Sequence, residues 1–375
     1  MSYYYNPRGY SEKEIDEALH FKHGSRRISF RYDLLDRYDS KIGEIDGIEE
    51  ASVSYGEFNM IKRSAVFLLN EYNQSNINFL HEQIQPWYIL HMPDGGAVEW
   101  PLGVFMLESP EKEIMGKRMR RNIGAYDKGL ILDADKIVNR HFIPAGTNYV
   151  AAVIKLLSIS GVNRVNITAI DTTIKNDREL PIGMKIKEAI NNLLAEINYK
   201  SLSVDEVGVC HSAPYVEPAQ RPISQRYIAG RDSIVLQELS ESLDIAGHPN
   251  VFVRIARNLD QDSELVSVVY NNNLSSPTSI PNRGRQIVDF EEIENISSQG
   301  ALNMYTRRIA INAMSAYSHI KFDSALMPGH GSSETLYLDF PQFFDAPRLY
   351  SETNWDMDLS FDGVMSHKAR RVVSL

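Results

Sequence analysis

Between Arg27 and Leu34 the chain alternates without a break: Ile28, Phe30, Tyr32 and Leu34 fall on one face, Arg27, Ser29, Arg31 and Asp33 on the other. Successive side chains of a strand point to opposite sides of a sheet, so this run predicts a half-buried strand. The same period returns at Val98–Met106, where Val98, Trp100, Leu102, Val104 and Met106 share a side. Between these runs lie Ala51–Tyr55, Ser64–Leu69 and Trp87–Met92, each bounded by Gly, Asn, Pro or Asp. Pro93-Asp94-Gly95-Gly96 is a turn signal, and a further strand pair is expected within Gly116–Leu132. Short strands at this spacing predict a small antiparallel barrel or sandwich over residues 24–132.

The period then changes. After Pro144-Ala145-Gly146, Val150, Val153, Ile154 and Leu157 recur at helical spacing, with Thr147 as the expected N-cap and Gly161 just past the end. A short strand is expected at Arg164–Ala169. A second amphipathic helix is expected from Met184, with Ile186, Ile190, Leu193, Leu194 and Ile197 on its stripe. Residues 133–215 thus read as an α+β insert. Beyond the proline-rich link Pro214–Pro222, strands are expected at Tyr227–Ala229, Ser233–Leu236, Val251–Ile255 and Leu265–Tyr270, with Asn258–Asp262 turning between the last two. Asn271–Pro281 reads as an exposed loop. Ser298 caps an expected helix to Ser315, with Leu302, Tyr305, Ile309 and Ala313 inward. Strands close the chain at Thr335–Asp339, Leu349–Ser351, Trp355–Phe361 and Arg371–Val373.

Few residues offer chemistry. Asp356, Asp358 and Asp362 resemble the start of a calcium loop, but Phe361 stands where glycine would turn it and no terminal Glu follows, so a strand face is expected. Gly329-His330-Gly331-Ser332-Ser333-Glu334 lacks the nucleophile-elbow pattern and is expected to be a flexible loop before a strand. The histidines, His319 and His330 included, show no metal-ligand spacing. The single cysteine, Cys210, beside His211, excludes a disulfide framework and a cysteine-based zinc cluster, and reads as a small buried hydrophobe. The basic run Lys117-Arg118-Met119-Arg120-Arg121 lies in an expected strand, which splits its charges between two faces and suits a subunit contact or an acidic neighbour better than nucleic acid. Net charge is −10, against the basic balance of a phosphate-gripping protein. No apolar run approaches the roughly 18 residues a membrane helix needs. No catalytic, cofactor-binding or metal residue is assigned.

The order of these features resembles the baseplate hub and tail-associated proteins at the tail tip of tailed phages. The residues that carry the resemblance are Ala51–Leu69, Trp87–Glu108, Ile143–Asn148 leading into a helix, Glu188–Tyr199 leading into Leu202–Gly208, Pro249-Asn250-Val251, and the helix at Ala301–Met314. The resemblance implies a β-rich α+β multidomain chain: two tube-type antiparallel β-barrel domains with an inserted α+β domain. Its divisions would be an N-terminal arm at 1–23 that packs on a neighbour, a first barrel at 24–132, the insert at 133–215, a second barrel at 216–320 and a C-terminal β-rich segment at 321–375. It further implies a non-enzymatic homotrimeric ring in the virion tail tip, made in the host bacterial cytoplasm, without cofactors or stable membrane insertion. The implied partners are a distal tail or tail-tube protein, the tape-measure protein and a receptor-binding protein or fibre, with DNA only in transit. Two other readings stand beside it. One is a carbohydrate- or receptor-binding module, suggested by 19 Tyr and 3 Trp. The other is a hydrolase whose paired carboxylates only a fold would reveal.

Overall fold

The computed structural model describes residues 3–22, 24–71, 77–116, 118–231, 233–244, 246–257, 264–293, 296 and 298–375. Its first half is built from β1 (Arg27–Leu35), β2 (Lys41–Glu44), β3 (Ile48–Gly56), β4 (Arg63–Asn70), β5 (Gln83–His91), β6 (Ala97–Pro101), β7 (Phe105–Met115) and β8 (Arg118–Tyr126). The alternation of β1 works as expected on its apolar side, where Ile28, Phe30, Tyr32 and Leu34 pack on the large core. On the other side Asp33 is buried rather than solvated. Arg31 at 2.9 Å and Lys41 at 2.8 Å neutralise it, which makes that burial tolerable.

The expected strand Val98–Met106 is two strands. Gly103 adopts φ +147°, where a Cβ would strike the Phe105 ring, and it redirects the chain from β6 to β7. β6 pairs with β5, whereas β7 pairs along its length with β8.

An α+β unit follows: α2 (Gly129–Ala134), β9 (His141–Ile143), α3 (Tyr149–Ile159), β10 (Val165–Ile167), β11 (Arg178–Leu180), α4 (Ile186–Glu196), β12 (Ser203–Val204) and β13 (Cys210–Ser212). It has its own core, from Leu132 through Leu156 and Leu194 to Cys210. The cap of α3 is Asn148 rather than Thr147, since the Asn148 side chain accepts from the Ala151 amide at 3.1 Å. Thr147 instead donates its hydroxyl to the Pro144 carbonyl.

The remaining strands are β14 (Gln225–Ile228), β15 (Val235–Leu243), β16 (Val251–Ala256), β17 (Leu265–Tyr270), β18 (Val288–Ile293), β19 (Ser318–Ala325), β20 (Thr335–Asp339), β21 (Arg348–Asp358) and β22 (Val364–Arg371). Here the sequence expectation needs correction. Residues 216–320 do not make one barrel: β14 and β15 join β19–β22 in the second half of the large sheet, while β16–β18 form a separate three-stranded sheet. The segment 321–375 supplies the middle of that second half. The two halves meet where β21 pairs with β3, Trp355 opposite Tyr55. The hydrogen-bonded path runs β15-β19-β22-β21-β3-β4-β8-β7-β5-β1-β2, and among the described residues no pairing joins its ends. The expected closed barrels are thus one long sheet with an open path, buried around one shared core.

Two further expectations change. The N-terminal segment packs on its own chain: Tyr5 bridges to Glu99, Tyr4 lies 5.7 Å from Trp100, and α1 (Glu12–Leu19) buries Ile15, Ala18 and Leu19 in the large core. Asn271–Pro281 is an exposed loop only in part: Asn272, Leu274, Ser275 and Pro277 face solvent, but others are anchored. Asn271, Thr278 and Ser279 are fully buried, and Asn271 donates to Ser276 at 3.0 Å, so the polar side chains satisfy one another. It runs into the one-turn helix α5 (Ile280–Arg283). The expected turn at Asn258–Asp262 lies outside the described residues.

Helix α6 (Gln299–Ser315) is capped by Ser298, which accepts from the Ala301 amide at 3.2 Å. It packs Leu302, Ala310 and Met314 on the Phe252 and Ala256 side of the three-stranded sheet. Ser298→Ala is expected to cost about 1 kcal/mol, read as a lower urea midpoint with unchanged slope. Among the described residues no helix is long and apolar enough to cross a membrane.

Candidate functional site

The most concentrated chemistry lies inside the second half of the sheet, at a place the sequence spacing did not mark. In β22, Met365, His367 and Ala369 alternate inward; in β21, Tyr350 and Glu352 do the same. The loop before β20 turns His330 into the same space. The expected flexible loop is therefore anchored: the His330 and His367 side chains have no exposed surface and Glu352 has 2 %.

The Glu352 carboxylate is shared. His330 Nδ1 lies 2.7 Å from Oε2 and His367 Nδ1 lies 2.6 Å from Oε1. On the far side of both rings sits the Tyr227 hydroxyl of β14, 2.8 Å from His330 Nε2 and 3.4 Å from His367 Nε2. Ser324 of β19 lies 2.8 Å from His367 Nε2, and Phe322 stacks on the His367 ring at 4.5 Å.

Burial alone would raise the Glu352 carboxyl, but the charge and hydrogen bonds of His330 and His367 outweigh it and hold the group at about 2. Burial works against charge on His330 as well, yet the Glu352 carboxylate raises it above the ordinary imidazole value. For His367 burial wins, and its value falls.

His330, Glu352 and His367 are also the one set among the described residues whose donor atoms approach one another as metal ligands do. The fit is poor. Both Nδ1 atoms are spent on carboxylate oxygens, no fourth His, Cys, Asp or Glu joins them, and the Tyr227 oxygen faces the opposite ring edge. The arrangement is a hydrogen-bonded ring, suited to holding a proton and to tying segments together. Ser324, His367 and Glu352 also stand in hydroxyl–imidazole–carboxylate order, but all three are buried, Ser324 completely, and the Ser324 hydroxyl also reaches the Ala325 carbonyl at 2.9 Å, so the hydroxyl is closed to a substrate in this arrangement.

The other singled-out residues scatter. Asp356 and Asp358 are exposed positions of β21, and Asp362 accepts from Ser360 in the following turn, so no calcium loop forms. Arg120 pairs with Glu49 of β3, two strands away, at 2.7 Å, and Arg121 with Glu71 just past the end of the neighbouring β4; Lys117 lies outside the described residues. His211 is held by Asp205 at 2.6 Å. Cys210 is fully buried, and burial, with Asp127 nearby, pushes its thiol up to about 12. In the native protein Cys210 is expected to resist a thiol reagent, labelling only as fast as the α+β unit opens; fast labelling at pH 8 would show that unit to be loosely packed.

A cleft of about 230 Å³ lies between the first half and the α+β unit. In it Asp39 takes Lys128 at 2.5 Å, Arg164 at 2.7 Å and Gln83 at 3.0 Å. These cations outweigh burial and lower the Asp39 carboxyl. The carboxylate is fully engaged, so this contact fastens the two units together. On the outside, the face of the three-stranded sheet away from α6 exposes Val266, Val268, Tyr270, Val288 and Phe290.

No protein-family model matches the sequence, and no curated protein matches it. Solved structures do. The chain is similar to a tail protein of Neisseria meningitidis MC58, with a TM-score of 0.65 and 9 % identity over 92 % of this chain and 97 % of that one. It is similar to the 43 kDa tail protein of prophage MuSo2 from Shewanella oneidensis, with a TM-score of 0.65 and 8 % identity over 91 % and 98 %. The prophage tail protein gp18 of Listeria monocytogenes EGD-e matches at 0.51 and 9 % identity over 92 % and 95 %. The chain thus carries the fold of phage-type tail proteins from end to end.

Proposed function

We propose that this chain is a structural, non-enzymatic hub at the distal tip of a phage-type tail. Three copies form a ring that continues the tail tube, anchors receptor-binding proteins or fibres, and opens for DNA. The carrying observation is the end-to-end likeness to tail proteins of nearly the same extent. The topology supports it. Each chain brings two sheet halves joined at β3 and β21, so three chains bring six, and the open path leaves β2 and β15 as edges that a neighbouring copy can cover. The exposed apolar face of β16–β18 is the kind of patch that marks an interface.

Adjacent components would be the distal tail or tail-tube protein and the tape-measure protein. The net charge of −10 suits a lumen that DNA passes without sticking, and a basic lumen would overturn that part.

The test is the solution mass of the purified chain with electron-microscope class averages, alone and with the tail-tube and tape-measure proteins co-expressed. A trimeric ring with a central hole is expected. A monomer that also stays out of the co-expressed assembly would overturn the reading.

A further inference from the structure

The ring around Glu352 is closed by the Tyr227 hydroxyl, which lies against both Nε2 atoms, and the Ser324 hydroxyl lies 2.8 Å from His367 Nε2. Each Nδ1 can donate to the ionised carboxylate while each Nε2 accepts from a hydroxyl, so the hydrogen bonds alone are satisfied with both imidazoles neutral. The charge is not: the Glu352 side chain is 2 % exposed, the two imidazoles hold its oxygens, and one added proton on them cancels a charge that is costly when isolated there.

We infer that the Tyr227–His330–Glu352–His367 ring is a one-proton latch, in which a single shared imidazolium locks β14, the loop before β20, β21 and β22 to one another. Either losing that proton or adding a second opens the latch. Because β21 also pairs with β3, the latch bears on the seam between the two halves of the sheet.

The groups facing it come from every packed element. They are Tyr227 from β14, Ser324 and Asp323 from β19, Glu334 at the start of β20, Glu352 from β21, His367 from β22, and Tyr55 from β3. The charges of Glu334 and Asp323 favour the imidazolium.

The sign follows for each group. His330 is raised, so its contribution is complete below the ordinary imidazole value of 6.5 and is lost as pH rises through its folded value. His367 is lowered, so its contribution is complete above 6.5 and is lost as pH falls below that value. The folded ring therefore holds one imidazole proton where the unfolded chain holds two below 6.5 and none above. Glu352, at about 2, adds a further loss only in stronger acid.

The experiment is urea unfolding of the full chain from pH 5 to 8.5, beside His330→Gln and His367→Gln. The difference between wild type and each variant removes the other histidines. For the wild type, a maximum near pH 6.5 is expected, falling by up to tenfold in the folding constant per pH unit on either side. Both variants should lose the acid limb, because the one imidazole left beside Glu352 takes the proton and no second is there to be refused, and both should keep the alkaline limb; a variant that keeps its acid limb would overturn the latch. If the variants do not fold, ¹⁵N-histidine spectra of the wild type decide. One imidazolium shared by the two rings is expected at pH 6.5, its proton lost at higher pH and a second gained at lower pH; both rings neutral, or both half-titrated, at pH 6.5 would overturn the latch.

Discussion

Glu352→Ala is expected to cost about 3–5 kcal/mol of folding stability at pH 7, a loss of that size being usual when one partner of a buried charge pair is removed. The carboxylate is the acceptor for both His330 Nδ1 and His367 Nδ1, and without it two polar ring atoms lie buried and unpaired. The loss would be read as a lower urea midpoint with an unchanged slope. A useful contrast is Glu44→Ala. Glu44 also pairs at short range, with Lys41 at 2.5 Å, but both side chains are over two-fifths exposed, and no resolvable shift of the urea midpoint is expected. Equal effects from the two substitutions would mean that the Glu352 ring contributes no more than a surface pair.

The second large effect is expected at Trp355. It is 1 % exposed, stacks on Tyr55 at 5.8 Å and 20°, lies under Arg63 at 5.4 Å, and donates its Nε1 to the Gly331 carbonyl at 3.3 Å. Tyr55 and Arg63 belong to the first half of the sheet, Trp355 and Gly331 to the second. Trp355→Ala is therefore expected to lose about 3–5 kcal/mol, the usual range for emptying a buried aromatic site. It is also expected to split one calorimetric transition into two, because the seam is where the halves share their core. A single transition with a loss below about 1 kcal/mol would show that backbone pairing of β3 with β21 holds the seam without the indole.

Much of the secondary structure was legible because its signals are local. Strict alternation marked β1, and helical spacing with a Ser at the right place marked α6 and its cap. The insert's two longer helices followed from Val150–Leu157 and Ile186–Ile197. Where reading failed, a local signal had two outcomes. Val98–Met106 alternates across its whole length, and only the φ of Gly103 breaks it. Asn271–Pro281 has the composition of a surface loop, yet its Asn271, Ser276 and Thr278 side chains bond to one another inside the protein.

The His–Glu–His ring was nearly invisible for a different reason. Its imidazoles stand 22 and 15 residues from Glu352 on separate segments, and Tyr227 lies 103 residues before His330. The available hint was a histidine at an inward position of an alternating strand, between Met365 and Ala369. A lone histidine in such a place does not name its partners.

From its own residues the sequence determined many of the strands, the three longest helices, and the order of parts through which the chain resembles tail-tip proteins. These are set by side-chain period, caps and turn residues acting within a few positions. Only the tertiary structure decided that β14, β15 and β19–β22 share a sheet with β1–β8 while β16–β18 stand apart, and that Tyr227, His330, Glu352 and His367 close a ring. Strand pairing is made by backbone groups that every residue carries. A strand's partner is therefore chosen by the packing of the whole core, which its own sequence does not spell out.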